Sequence, residues 1–171
     1  MEGVERLFER MVHEHQHRLF ALGFALTGNS HDAEEVAQDT LLRAYRALVT
    51  YSPERIRDLK QKAWLHRIAV NVARNRYRGL RPRMVELNGS EQDAAPGPES
   101  RALRRAEIDD VAASLAALPP RYREAVVLRF VQDLPYAEVA EALGQPVGTV
   151  KSNVHRALKL LRGDDHDRVD D

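Results

Sequence analysis

Apolar side chains recur every three or four residues along most of this chain, and this spacing restricts the folds open to it. The first repeat runs through residues 2 to 27, on a face formed by Val4, Leu7, Phe8, Met11, His15, Leu19, Leu22 and Leu26. Such spacing is typical of an amphipathic α-helix, whereas a half-buried strand alternates with a period of two. No stretch shows that alternation. The sequence therefore predicts an all-α protein.

Turn and cap signals divide the repeat into several helices. After Gly28-Asn29, Ser30 is a candidate N-cap for a second helix that ends near Val49. We expect "TYSPERIRD" to form a turn-rich loop around Pro53, followed by a third helix over about residues 62–78. The pattern resumes near Glu99 with Leu103, Ile108, Val111, Leu115 and Leu118, and the prolines 119–120 then start a helix that ends near Phe130.

The periodicity stops in the middle of the chain. The stretch "GLRPRMVELNGSEQDAAPGP" holds three prolines and three glycines, a composition that buries little and is typical of a linker. We therefore predict two small helical domains joined by a flexible linker. The expected boundaries are a first domain over 1–80, a linker over 81–98, a second domain over 99–163 and a disordered acidic tail over 164–171.

The stretch "YAEVAEALGQPVGTVKSNVHRALKLLR" near the end breaks one helix and at once begins another. Gly144 permits the tight turn and Pro146 a rigid re-entry, which is the pattern of a helix-turn-helix. Apolar residues of the first helix can face Val150, Val154, Ala157 and Leu161 of the second. In this motif the second helix enters the DNA major groove, with a polar face of Thr149, Lys151, Ser152, His155 and Arg156. Any amphipathic helix has a solvated polar face, so that alternative stays open.

Formal net charge is zero, but its distribution is uneven. Residues 54–83 carry ten Lys or Arg against two acids, a balance of +8, and residues 84–110 carry a balance of −4. A basic block of this kind is typical of a surface that binds nucleic acid.

Two sets of motifs resemble a known family. The stretch "LPPRYREAVVLRFVQDLPYAEVAEALGQPVGTVKSNVHRALKLLR" resembles region 4 of bacterial sigma factors of the extracytoplasmic-function (ECF) group, the fourth group of the sigma-70 family. The stretches "AEEVAQDTLLRAYRAL" and "KAWLHRIAVNVARNRYR" resemble region 2, in the same order as in the family.

This resemblance implies a subunit that directs RNA polymerase to promoters. Its partners would be the polymerase core (clamp helices of the largest subunit, and the flap), promoter DNA and an anti-sigma factor. The second helix would bind the core through Asp32, Glu35, Gln38, Asp39 and Arg43. The third would read the −10 element through Lys62, Arg67, Asn71, Arg74, Asn75 and Arg78. The α-helical surface of Thr149, Lys151, Ser152, His155 and Arg156 would read the −35 element.

Some positions have structural or divergent roles. We expect Trp64 to pack in the core, and Gly144 and Pro146 to shape the turn. His66 replaces a tyrosine that is frequent in the family. Asn153 stands where arginine is frequent, which would remove one phosphate contact.

Other functional classes have little support. The chain has no cysteine, and His13, His15 and His17 do not share one helical face, so we expect no metal site and no cofactor. Common hydrolase and nucleotide-binding motifs are absent from the sequence, so we do not expect an enzyme. No apolar run approaches a membrane span, and we expect a cytoplasmic protein. The alternative function is a stand-alone helix-turn-helix regulator.

Overall fold

A computed structural model describes residues 2–77 and 98–163, and both ranges are helical. The elements are α1 (Glu2–Thr27), α2 (Ser30–Leu48), α3 (Pro53–Arg57), α4 (Gln61–Tyr77), α5 (Pro98–Ala117), α6 (Pro120–Val126), α7 (Tyr136–Leu143) and α8 (Val147–Arg162). A π-helical turn, Val127–Val131, extends α6. No strand occurs in the described ranges, so the all-α prediction is confirmed. The predicted linker (except Pro98), the predicted acidic tail and Arg78 lie outside these residues.

Helices α1 and α2 approach each other closely at Gly23. A Cβ atom at this position would lie 2.9 Å from the Cα and carbonyl oxygen of Ala33, so only glycine fits. The helices are joined at Gly28, which has a positive φ. Asn29 caps α2, because its side-chain oxygen accepts from the backbone NH of Asp32 at 3.0 Å. The prediction of Ser30 as the cap was wrong by one residue.

The segment after α2 is not the loop that the sequence predicted. Pro53–Arg57 forms the short helix α3, with Pro53 in its first turn and Ser52 as its cap. The Ser52 hydroxyl accepts from the backbone NH of Arg55 at 3.3 Å. Proline has a φ suited to the first helical turn and loses no hydrogen bond there, so the residue that indicated a loop instead starts a helix.

Helix α5 is less buried than its apolar pattern indicates. Leu115 is buried, but Leu103 is 68% exposed, and Ile108 and Val111 are also exposed. Arg123 fixes the end of this helix by donating to the carbonyl oxygens of Leu115, Ala116 and Leu118 at 2.8–2.9 Å. The C-terminal part of α5 is therefore tied to α6, and its N-terminal part lies in solvent.

Helices α7 and α8 form the predicted helix-turn-helix. Gly144 adopts a left-handed φ of 63° at the end of α7, and the backbone NH of Gln145 bonds back to the carbonyl of Ala140 at 3.0 Å. Pro146 directly precedes α8. Apolar side chains of both helices are buried between them: Val139, Ala140, Leu143, Val150, Val154 and Ala157. Leu161, predicted to join them, is instead 39% exposed, since it lies in the last turn of α8.

The N-terminal half (α1–α4) and the C-terminal half (α5–α8) pack against each other, which the sequence did not predict. One cluster of buried apolar side chains runs through both. Helix α4 contacts α7, and α1 contacts both α5 and the π-helical turn. None of the described helices is long and apolar enough to cross a membrane.

Candidate nucleic-acid and polymerase interfaces

The predicted −35 residues form one exposed surface on α8. The side chains of Val150, Asn153, Val154 and Ala157 face inward, and this orientation fixes which residues face outward. We call the exposed set the α8 surface: Thr149, Lys151, Ser152, His155 and Arg156. All five side chains are exposed to solvent, as contact between a recognition helix and a DNA major groove requires.

Two aromatic residues outside α8 contact its cations. The Nζ atom of Lys151 lies 5.7 Å from the ring centroid of Tyr136, the first residue of α7. The hydroxyl of Tyr122 on α6 accepts from Nη1 of Arg156 at 3.4 Å. Hydrogen bonding from Arg156 is the main cause that lowers the pKa of Tyr122. The helix-turn-helix pattern did not reveal these contacts, because Tyr122 and Tyr136 precede the recognition helix.

Asn153 has a structural role in this half. It is buried, and its side-chain amide donates to the side-chain oxygen of Gln145 in the turn at 3.4 Å. Asn153 therefore ties α8 to the turn before it. This contact gives Asn153 a structural role. The resemblance to the family implies only that asparagine here removes a phosphate contact.

The predicted −10 residues on α4 differ in exposure. Arg67, Asn71 and Asn75 are exposed, whereas Lys62 is half-buried. We call these four, with Arg74, the α4 surface. Trp64 is half-buried against the apolar cluster, and its ring centroid lies 6.0 Å from that of Tyr51.

Arg74 is bound to the other half of the protein. Its guanidinium donates two hydrogen bonds to the carboxylate of Glu124 on α6, one of them from Nε to Oε1 at 2.8 Å. The side chain of Glu124 is only 9% exposed. These bonds are the main cause that raises the pKa of Arg74.

His66 makes a second contact between the halves. The imidazole and the side chain of Gln132 are each 1% exposed, and Nε2 of His66 lies 2.8 Å from the Gln132 amide. Nδ1 donates to the carbonyl of Lys62 at 2.6 Å. The amide atom that faces Nε2 is Oε1 of Gln132, an acceptor. Because Nδ1 donates to Lys62, Nε2 carries a proton for Oε1 only in the protonated ring, and the neutral ring is satisfied there only when the amide is flipped to present its NH₂ group. We call the Arg74–Glu124 and His66–Gln132 contacts the junction.

Burial lowers the pKa of His66, although its hydrogen bonds to Gln132 and to the Lys62 carbonyl oppose this shift, and the positive charges of Lys62 and Arg18 lower the pKa further. Burial also lowers the pKa of His15 on α1, where Glu14 opposes the shift and His66 adds to it. His15 and His66 therefore lie in one basic neighbourhood, and protonation of either adds positive charge beside Arg18 and Lys62.

The predicted polymerase-binding residues lie along α2. We call them the α2 strip: Asp32, Glu35, Gln38, Asp39 and Arg43, of which Gln38 and Arg43 are exposed. Arg76 of α4 pairs with this strip, because its Nη1 lies 3.0 Å from Asp39 and its Nη2 lies 3.6 Å from Glu35. No pattern in the sequence indicates this pairing, which partly neutralises the strip.

Comparison with known proteins accounts for both halves. Residues 11–83 match the family described as Sigma-70 region 2, and residues 108–161 match Sigma-70, region 4. The chain is 33% identical over 159 residues to the ECF RNA polymerase sigma factor SigE of Mycolicibacterium smegmatis, covering 91% of this chain and 60% of that relative. It is 31% identical over 172 residues to the ECF RNA polymerase sigma factor SigW of Bacillus subtilis, covering 94% of this chain and 90% of that relative. This chain belongs to the ECF sigma factors.

A solved structure agrees with this assignment. The sigma factor RpoE in complex with the anti-sigma factor NepR, from Bartonella quintana, matches with a TM-score of 0.66 and 26% identity, covering 94% of this chain and 98% of that chain. The predicted family, fold class and general function are therefore confirmed. Membership among the ECF sigma factors favours transcription initiation with RNA polymerase over a stand-alone regulator.

Proposed function

We propose that this ECF sigma factor works in the cytoplasm as a promoter-specificity subunit that catalyses no reaction itself. In this proposal the α8 surface binds the −35 duplex and the α4 surface binds the −10 strand. The observation that carries it is the α8 surface, whose five polar side chains are all exposed while the opposite face of the helix is buried. Residues 1–80 and 99–163 would act as the two DNA-binding domains.

The two DNA contacts use different chemistry. Lys151 and Arg156 suit guanine edges and phosphates in a major groove, and the Thr149 and Ser152 hydroxyls suit phosphates or either base. On α4, the exposed amide of Asn71 suits the Watson–Crick edge of an unpaired base, and the arginines suit the strand backbone. Arg78, which lies outside the described residues, is proposed for the same backbone.

The junction must open for Arg74 to bind a phosphate through the edge that now faces Glu124. Its two hydrogen bonds to Glu124 use the Nε–Nη2 edge of the guanidinium, which is the edge that a bidentate contact with phosphate would need. We propose that the described arrangement is a form with reduced −10 binding, and that the polymerase core separates the halves by binding each one. The α2 strip would bind the core, with Gln38 and Arg43 the residues most accessible to it.

An anti-sigma factor would favour the arrangement described here. The matched Bartonella quintana sigma factor was solved with its anti-sigma factor, and we extend that class of partner to this chain. A protein that covers α4 and α8 together would block both proposed DNA surfaces and keep the junction closed.

A gel-shift assay with and without polymerase core tests the proposed function. We expect the chain to shift a promoter fragment at physiological salt only when core enzyme is present, because a single DNA-binding module adds little to non-specific binding, which has a Kd of only roughly 10⁻⁴ to 10⁻⁶ M. A tight, sequence-specific complex of the isolated chain with DNA would contradict the proposal. A transcription assay in which the chain never changes the start site of core enzyme would also contradict it.

A further inference from the structure

Arg121 lies beside the α8 surface although it belongs to a different helix. It is an exposed residue in the first turn of α6, and it lines an open cleft of about 640 Å³. Three members of the α8 surface line the same cleft: Thr149, Ser152 and Arg156. Arg121, which precedes the helix-turn-helix in the chain, therefore shares one cleft with polar side chains of the recognition helix α8.

The hydroxyl of Tyr122 brings two guanidinium groups to one point. It accepts from Nη2 of Arg121 at 2.9 Å and from Nη1 of Arg156 at 3.4 Å. The carbon of the Arg121 guanidinium lies 4.7 Å from the centroid of the Tyr122 ring. The rest of Tyr122 is buried, so its hydroxyl is a fixed anchor for side chains that would otherwise be mobile.

The charge around this anchor is unbalanced. The residues that line the cleft include two arginines and, among the described residues, no carboxylate. Two guanidinium groups that share one acceptor repel each other unless an anion lies between them. The guanidinium fork and the Thr149 and Ser152 hydroxyls are donors that suit the oxygens of a phosphodiester.

We propose that Arg121 is a further DNA-binding residue, and that Tyr122 positions it together with Arg156 to hold one backbone phosphate of the −35 duplex. This inference rests on the proposed function of the α8 surface. It adds a contact from α6, next to the groove that α8 would enter. Arg121 and Tyr122 then fix the register of the recognition helix without reading a base themselves.

The test uses holoenzyme reconstituted from the full chain and polymerase core, on a promoter fragment selected by that holoenzyme from a random-sequence library. Methylphosphonate linkages neutralise the −35 phosphates one at a time, and the dissociation constant is measured for each duplex. We expect Arg121→Gln to weaken binding of the unmodified duplex about tenfold, as for the loss of one charge-assisted hydrogen bond. We also expect the slope of log K against log salt to fall by about 1.

The decisive result is that neutralising one particular phosphate weakens binding of the wild type but no longer affects binding of the variant. Neutralising the phosphate that Arg121 holds should weaken the wild-type complex and leave the Arg121→Gln complex nearly unchanged, because the contact is already lost. Tyr122→Phe keeps the buried ring and removes the hydroxyl, so it should reduce sensitivity at the same linkage with an unchanged melting temperature. Arg104→Gln removes an exposed arginine of α5 outside the cleft and should change no linkage.

Each failure has a separate meaning. If Arg121→Gln keeps the wild-type sensitivity at every linkage while Arg156→Ala weakens −35 binding, the inference about Arg121 is wrong and the proposed function stands. If Arg156→Ala also leaves −35 binding unchanged, the proposed function of α8 is itself wrong. A Tyr122→Phe protein that is stable and retains full sensitivity would overturn the positioning role of the hydroxyl.

Discussion

Arg74 and Glu124 form a two-bond ion pair between the N-terminal and C-terminal halves of this sigma factor, with Nε of the arginine 2.8 Å from Oε1 of the glutamate. Arg74 is one of the residues that the sequence predicts to bind the −10 strand. The C-terminal half thus holds a cation that we propose the N-terminal half uses on DNA, and it does so with a carboxylate, which like phosphate can accept two parallel hydrogen bonds from arginine.

We expect Glu124→Gln to weaken the junction. The substitution removes the charge that faces Arg74 from a nearly buried position, and the free energy of unfolding should fall by about 1–3 kcal/mol. Chemical denaturation measures this change. Glu141→Gln is the matched control, because its pair with Lys60, at 3.1 Å, is exposed on both sides and should contribute less than about 1 kcal/mol. Equal effects of the two substitutions would contradict a special role for Glu124.

Acidification should destabilise the protein through His66 and His15. Burial lowers the pKa of both below the ordinary value of 6.5, so the unfolded chain binds more protons than the folded one just below that pH. The stabilisation is complete above about pH 6.5 and is lost as pH falls toward the lowered pKa of each group. Protonation also places new charge near Arg18 and Lys62. Melting temperatures between pH 7.5 and pH 5 measure the effect.

The variant His66→Gln separates the two histidines. We expect its melting temperature to change less between these pH values than that of the wild type, since only His15 of the pair remains. His13→Gln removes an exposed histidine of α1 and should reproduce the wild-type profile. A His66→Gln profile equal to that of the wild type would mean that His66 does not titrate at the junction.

Gly23→Ala should strongly destabilise the N-terminal half. The new Cβ atom would lie 2.9 Å from the Ala33 backbone, which cannot move without separating α1 from α2. We expect a loss of about 1–3 kcal/mol in the free energy of unfolding. Gly3→Ala, in the first turn of the same helix with nothing within 4 Å of the new atom, should be neutral or slightly stabilising. A Gly23→Ala protein as stable as Gly3→Ala would rule out the described packing.

Two alanine substitutions should separate the promoter elements. Arg156→Ala should weaken transcription from promoters that depend on their −35 element, because the free energy of promoter binding falls by about 1–3 kcal/mol, or roughly 5- to 150-fold in affinity. Asn71→Ala should alter the preference for −10 sequences, because it removes a donor to a base edge. In vitro transcription on promoters with substituted elements measures both. If both variants transcribe a promoter that depends on both elements as well as the wild type does, the proposed roles of Arg156 and Asn71 are wrong.

Local features explain what the sequence could predict. Apolar spacing and the residues Gly144 and Pro146 determine the helix-turn-helix, because those signals act within a few residues of each other. The same spacing overestimates burial where no partner packs, and Leu103 on α5 is an example. Pro53 indicates a loop in the sequence because a helix of five residues, such as α3, is too short to show a period.

The junction could not be predicted from the sequence. His66 and Gln132 are 66 positions apart, and polar residues on helices are usually solvated, so no pattern marks them as partners. The departure of His66 from the family pattern was visible, but its meaning depends on a residue in the other half. Arg121 and Tyr122 were missed for a related reason, since they precede the motif that identified the recognition helix.

Gln132 contacts two helices of the N-terminal half with separate groups. Its side chain bonds to His66 of α4, and its backbone carbonyl accepts from Nη1 of Arg18 of α1 at 3.4 Å. A displacement of Gln132 therefore breaks its bonds to α4 and to α1 together. If only one of these two helices moves away, the other still holds Gln132. Separation of the halves should consequently be cooperative, so that a population of molecules divides between joined and parted forms with few intermediates.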